Sequence, residues 1–354
     1  MSQDIQLPTV HARKSIALIA LGMGVYFLYL YRVGFGETME TLQSVNLAVF
    51  SIGFLLALLG VLCDALAWQK VLNEFDYHVS IRDVFSIYLS SIFLNNLIPS
   101  GSFSGETARI YFMEKLADNS RLDQSSATVA ASRIITAVPF FMGTIVGLTY
   151  MVMMADVPRW ALAACSSITI FLVFINLVFV GICFSASLLE RITDGLINGL
   201  EWLFRLRINR SACKGMVRQF NASMVKLTGH KRTILISVFW AFMAWICMNL
   251  VAFVTFRSMG VDVPLGAILA VYAVMIFMQM LPLFLPGGVG LVDIVMITLF
   301  AAVGVRTHDA VAATILSRLI QLWFLTAAGG LSTVYLAKRV GERAGRAEGN
   351  EILS

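Results

Sequence analysis

The residues best placed for chemistry in this chain are two acids and the arginines that echo them. Glu106 ends the stretch Pro99-Ser100-Gly101-Ser102-Phe103-Ser104-Gly105-Glu106, and Asp293 ends Pro286-Gly287-Gly288-Val289-Gly290-Leu291-Val292-Asp293. In each stretch a glycine follows the proline by two residues and a carboxylate follows it by seven. A Ser-Arg pair comes later in an apolar run each time, Ser132-Arg133 and Ser317-Arg318. Such a set suits recognition of a polar group. Carboxylates would contact a cation or hydroxyls, while arginines and free backbone N–H groups would hold phosphate. Asp293 is the only acid between Asp262 and Asp309. An acid inside a hydrophobic region is costly and is a functional candidate by default. A cap for the helix that restarts after the glycines is the structural alternative.

The backbone at both breaks is equally informative. Proline and glycine free carbonyls and N–H groups that hydrocarbon cannot satisfy, so such backbone persists at membrane depth only against protein or a water-filled cavity. At the first break Asn95 and Asn96 precede Pro99, and a helix opening near Ser104 would aim its positive end at an anion. Glu106 and Arg109 are spaced to pair on one helix face. At the second, Gly287 and Gly288 offer close backbone approach to a ligand. Pro99, Gly101, Gly105, Pro286 and Gly290 are the structural breaks. Arg133 and Arg318, if buried, need partners, and Glu106 and Asp293 occupy the matching positions; snorkelling at a helix end is the alternative for Arg133.

The elements that must hold these residues are membrane helices. Of 354 residues, 58% are hydrophobic and 13% charged, with mean hydropathy +0.82. A soluble protein carries nearly twice that share of charge. Apolar runs long enough to span a bilayer fall at about 15–33, 45–69, 126–154, 160–184, 233–258 and 310–337. Residues 84–98 are too short to span before Pro99, and 265–285 and 289–305 are two pieces parted by the second break. The fold expected is all-α and integral to the membrane, with about six full transmembrane helices plus two re-entrant broken-helix hairpins. The apolar run after Arg13 and Lys14 is long and lacks a cleavage site, so it reads as an uncleaved first span.

Charge sets the orientation. His11, Arg13 and Lys14 place the amino terminus in the cytoplasm, as the nine Lys and Arg residues of 186–232 do for that segment and Lys338, Arg339, Arg343 and Arg346 for the tail. The first break then enters from the cytoplasm and the second from outside, an inverted repeat. Counting each broken piece as a full span preserves the same parity. The single membrane domain covers 1–340, in halves of about 12–155 and 160–340, with a short polar tail at 341–354. Leu188, Leu189, Ile192, Leu196 and Leu200 recur at helical spacing in 186–232, the pattern of a helix at the lipid interface or of a solvated connector. The net charge of +5 reports orientation and anionic lipid rather than nucleic acid, for which no motif is present. The five cysteines and four histidines are not spaced as metal ligands or as a disulfide framework, so neither metal nor cofactor is expected.

Asn95-Asn96-x-x-Pro99 running to Gly105-Glu106-x-x-Arg109, with Pro286-Gly287-Gly288-x-Gly290-x-x-Asp293, resembles the flippase-like membrane region of the lysylphosphatidylglycerol synthase family. The resemblance covers about residues 12 to 340. The family pattern has a second glycine where Ser104 stands and usually glutamate where Asp293 stands. The resemblance implies lipid translocation without lipid synthesis, since no soluble aminoacyl-transfer domain follows the last span. The expected function is flipping of a polar-headgroup lipid, such as an aminoacylated phospholipid or a glycosyl or polyprenyl-phosphate lipid, in the cell membrane. The partners expected are membrane lipids and a separately encoded lipid-modifying enzyme. An integral-membrane transferase and a scaffold for a cytosolic enzyme are the competing readings. No nucleophile–base pair or nucleotide loop supports the former.

Overall fold

Long apolar runs free of Pro-Gly punctuation give long helices here, and each punctuated run gives a pair of short ones. The computed structural model describes residues 35–98, 103–117, 121–154, 158–204, 210–280 and 286–353. All regular structure among them is helical. A short α1 (Phe35–Gln43) leads to α2 (Leu47–Asn73), capped by Asn46, whose Oδ1 accepts from the N–H groups of Ala48 and Val49. The first broken pair is α3 (Ile81–Leu97) and α4 (Phe103–Leu116). Then come α5 (Leu122–Met154), α6 (Arg159–Phe184), α7 (Ala186–Phe204) and α8 (Arg210–Thr228). The second half repeats the plan with α9 (Lys231–Ser258), α10 (Leu265–Met280), a 3-10 turn at Pro286–Gly288, and α11 (Leu291–Ala302). Last, α12 (Thr307–Arg318) passes through a π-helical stretch, Leu319–Phe324, into α13 (Leu325–Leu353).

Among the described residues five stretches are long and apolar enough to cross a bilayer: Leu47–Asn73, Leu122–Met153, Ser166–Phe184, Lys231–Ser258 and Thr307–Arg343. They match five of the six expected spans, and the sixth, 15–33, lies outside the described residues. On α6, Ile170, Phe174 and Leu177 face outward, as a helix solvated by lipid tails requires. The chain is an all-α integral membrane protein. The 341–354 tail continues α13 as helix as far as Leu353.

The two halves embrace. α2 packs along α9, the corresponding helix of the other half; α3 lies against α13, and α10 against α5. Each broken pair therefore leans on the last long helix of the opposite half. Small residues permit both crossings: a Cβ at Gly147 would fall 2.6 Å from the Ala270 nitrogen, and one at Gly329 would run into the Leu89 carbonyl. The buried core forms two clusters. One gathers around α9 to α12 with the first half of α2, the other around α3, α4 and α5 with the rest of α2.

Polar clamps close one end of the bundle. Arg339 of α13 pairs with Asp83 at the start of α3, and Arg343 donates to the Leu116 carbonyl. His230 Nδ1 lies 2.6 Å from Glu74 Oε2. In the turn after α2, the Tyr77 hydroxyl accepts from the Arg121 N–H at 3.1 Å; burial pushes the pKa of this phenol above its ordinary value, opposed by the Arg121 backbone contact. The amphipathic 186–232 segment folds as α7 and α8, joined by Arg218–Glu190 at 2.7 Å and Lys214–Asp194 at 3.0 Å.

Candidate functional site

At the first break, the last turn of α3 supplies the acceptor that the opening of α4 lacks. Asn95 Oδ1 accepts from the Gly105 N–H at 2.6 Å and from the Ser104 hydroxyl at 3.2 Å, and that hydroxyl also reaches the Leu94 carbonyl at 3.1 Å. A Cβ on Gly105 would sit 2.5 Å from the Ser91 carbonyl oxygen, so only glycine lets the two helices approach this closely. Asn96 Nδ2 donates to Thr326 Oγ1 at 2.8 Å, tying the break to the opposite half. Pro99 and Gly101 lie outside the described residues.

Glu106 is shared by two arginines. Its Oε2 lies 3.5 Å from Arg109 Nη1 and its Oε1 3.4 Å from Arg133 Nη1. Arg109 is buried, with its guanidinium 4.0 Å from the Trp68 ring and 4.6 Å from the Tyr88 ring. Its Nη2 donates to Ser132 Oγ at 3.0 Å, while Nε has no hydrogen-bond partner. Desolvated cation–π contacts of this kind contribute about 2 kcal/mol. They fix Arg109 as a wall and leave Arg133, the more exposed of the two, as the cation that faces outward from the cluster.

Arg133 leads out of the cluster into a cavity of about 300 Å³. Asp64 of α2, Thr136 of α5, Asn176 of α6, and Trp245 and Met248 of α9 line it as well. At 1.5 Å per residue, Asp64 sits about 14 Å from the end of α2, Arg133 about 16 Å from the start of α5, and Asn176 about 12 Å from the end of α6. The three polar groups thus share one depth.

The second break is built from the same parts and closes on itself. Gly287, Gly288 and Gly290 have φ of 60°, 66° and 89°, the left-handed region that glycine enters without penalty. Asp293 Oδ2 accepts from the Gly290 N–H at 2.8 Å, a cap on α11. Its Oδ1 lies 2.8 Å from Arg318 Nε, an ion pair by distance in which the N–H does not point at the oxygen. Arg318 Nη2 donates instead to the Gly287 carbonyl at 2.5 Å. Both side chains are buried. Asp293 and Arg318 therefore satisfy backbone groups that the glycines release. The turn at Pro286–Gly288 also packs on α3, so the two breaks meet.

Both acid–arginine pairings follow the sequence echo, Glu106 with Arg133 and Asp293 with Arg318. Sequence reasoning missed the aromatic shelf of Trp68 and Tyr88 and did not single out Asp64 and Asn176, which line the cavity. A signal was present. Tyr88 and Tyr272 are 184 residues apart, as are Asn95 and Gln279. Tyr272 lies beside Ser317 and Arg318 as Tyr88 lies beside Arg109. No group of three His, Cys, Asp or Glu residues suited to a metal occurs among the described residues.

Residues 15–329, which span both breaks and both Ser-Arg pairs, match the model of the lysylphosphatidylglycerol synthase TM region. The chain belongs to this family. Among its relatives is a UPF0104 membrane protein of Methanothermobacter thermautotrophicus, 27% identical over 334 residues, covering 93% of this chain and 98% of the relative. A UPF0104 membrane protein of Pyrococcus horikoshii is 26% identical over 329 residues, 90% of this chain and 96% of its own. One from Methanocaldococcus jannaschii is 22% identical over 341 residues, 94% and 98% respectively. In this member of the lysylphosphatidylglycerol synthase TM family, then, the matched region contains the ion-pair cluster, the cavity and the sealed second break together.

Proposed function

We propose that this protein translocates a polar-headgroup lipid between the leaflets of the cell membrane and is not an enzyme. One observation carries the reading: a half-buried carboxylate, Glu106, holds two arginines beside a broken helix, and one of them, Arg133, lines a polar cavity. A headgroup crossing hydrocarbon must replace its water with protein groups, and this cluster supplies them at depth. Arg133 would take the phosphate, with the remaining hydroxyls or amine meeting Asn176 and Asp64. Asn95, Asn96 and Ser104 would shape the rim. Gly287, Gly288, Asp293 and Arg318 would complete the site from the other half. The two broken pairs would enter as re-entrant hairpins from opposite faces, an inverted repeat with both termini in the cytoplasm. Aminoacylated phospholipids and glycosyl or polyprenyl-phosphate lipids fit the cluster, and a separately encoded lipid-modifying enzyme would supply them.

The test is reconstitution into vesicles with acyl-labelled fluorescent lipids and dithionite readout of leaflet exchange. Wild-type protein should speed exchange, and Arg133→Ala should lower it at least tenfold. Exchange at the wild-type rate in Arg133→Ala overturns the assignment.

A further inference from the structure

The cavity holds an acid that the ion-pair cluster leaves unused. Asp64 lines it from α2 and makes no hydrogen bond or ion pair among the described residues. The other two acids at this level are committed: Glu106 to Arg109 and Arg133, and Asp293 to Arg318 and the Gly290 N–H. The charged and titratable groups facing Asp64 are few. Arg109 approaches from α4, Tyr88 from α3 and Cys247 from α9, with Cys63 beside it on α2 and Arg133 across the cavity on α5. Arg109 is pinned between two rings and cannot come nearer without leaving Ser132. Arg133, paired with Glu106 on one side and 37% exposed, is the cation that faces the cavity and can turn to a ligand there.

A phosphate held by Arg133 in this space comes to rest beside the Asp64 carboxylate. Two anions confined in a site poor in water repel strongly, and a proton on the carboxylate removes the repulsion. We propose that Asp64 takes up one proton from the bulk as an anionic phosphate headgroup enters the cavity, and releases it on the other side as the headgroup leaves, so that lipid and proton cross together. The proposal rests on the lipid reading above. Its stoichiometry is one proton per lipid, because the second half offers no counterpart: Asn249 stands 185 residues after Asp64, the spacing that relates Arg133 to Arg318, and a carboxamide cannot exchange a proton. A zwitterionic headgroup behaves differently. Its own ammonium pairs with ionised Asp64, and no proton is needed.

Wild-type protein in phosphatidylcholine vesicles, carrying a trace of acyl-labelled fluorescent phosphatidylglycerol and a one-unit pH difference, tests this. Labelled phosphatidylglycerol should gather in the leaflet facing the alkaline side, reaching about tenfold asymmetry per pH unit for one proton per lipid. A protonophore should abolish the asymmetry. Labelled phosphatidylcholine should distribute evenly under the same gradient. Asp64→Asn should lose the asymmetry and Asp64→Glu keep it; the glutamate variant and the protonophore arm decide the matter if the asparagine variant does not fold. Even distribution of phosphatidylglycerol that is nonetheless exchanging overturns proton coupling and leaves the lipid reading intact. Equal asymmetry for both lipids, or asymmetry retained in Asp64→Asn, overturns the role of Asp64. If neither lipid moves, the translocation reading itself fails and the coupling with it.

Discussion

The two breaks share a proline, glycines, an acid and a Ser-Arg pair, yet one stays open and the other is sealed. At the first, Glu106 faces two arginines and one of them looks into a cavity. At the second, Asp293 faces one arginine, and that arginine turns to the Gly287 carbonyl. The difference traces to two features of the repeat. Arg109 has Met296 at the corresponding place three residues after the acid, so the second half lacks the surplus cation. The second turn also carries three left-handed glycines whose freed backbone groups must be satisfied locally, because buried unpaired backbone is costly. One motif therefore serves as a site where charge is in surplus and as a closure where backbone is in deficit.

Cutting each arginine is the strongest way to break that comparison. Arg318→Ala leaves Asp293 buried without a counter-ion and the Gly287 carbonyl unpaired. Removing one partner of a buried pair costs about 3–5 kcal/mol. Arg133→Ala cuts a half-exposed pair, where solvent screening holds the loss to about 1 kcal/mol or less. Denaturant titration of the two variants in detergent micelles should separate them. Equal losses would show that the second pair is no more structural than the first.

Glu106→Gln sharpens the comparison from the functional side. A hydrogen bond to a charged group is worth about 1.5–3 kcal/mol, so loss of the shared carboxylate should let Arg133 wander and lower lipid exchange by about tenfold or more. The midpoint of unfolding should move less than in Arg318→Ala. Asp293→Asn should reverse the order, with a marked loss of stability and exchange per folded molecule near wild type. Exchange in Asp293→Asn falling as far as in Glu106→Gln would make the second break a site after all.

Much of this contrast was legible beforehand. Proline followed by glycine marked the breaks at Pro99 and Pro286, whereas the lone Pro139 stays inside α5, and the equal spacing from proline to acid exposed the repeat without any tertiary knowledge. The five long spans follow from apolar runs with little punctuation. Three things were hidden. The sealing of the second break depends on which way Arg318 swings, a choice set by the Gly287 carbonyl 31 residues away. The Trp68 and Tyr88 shelf needs α2, α3 and α4 brought together. Asp64 reads in sequence like any polar residue in an apolar helix, and only the cavity reveals that it has no hydrogen-bond or ion-pair partner among the described residues.

The glycines come next in size, and they separate the two breaks by cause. At Gly287 the issue is torsion: alanine at φ 60° costs about 1–2 kcal/mol, and its methyl would sit 2.7 Å from the Leu322 Cδ1, a flexible terminus that can yield. At Gly105 the issue is space, because the obstacle is the Ser91 carbonyl of the α3 backbone. Gly287→Ala should therefore lower stability modestly and leave the α3–α4 contact intact. Gly105→Ala should pry α4 from α3, seen as faster hydrogen exchange in 103–110. Similar exchange patterns for the two variants would erase the distinction.

The smallest expected effect tests whether the first break is held by its cap alone. Asn95→Ala leaves the Gly105 N–H and the Ser104 hydroxyl without their shared acceptor, a loss of about 1 kcal/mol by the usual worth of such caps. Asn95→Asp keeps an acceptor oxygen and should recover most of it, even though it adds a negative charge near Glu106. The thermal midpoint in detergent reads the stability, and exchange of the Gly105 amide reads the hydrogen bond directly. The cap serves only the backbone, whereas Glu106 serves the arginines. Lipid exchange should accordingly fall less in Asn95→Ala than in Glu106→Gln. A larger fall would mean that the α3–α4 junction, rather than the ion-pair cluster, sets the rate at the open break.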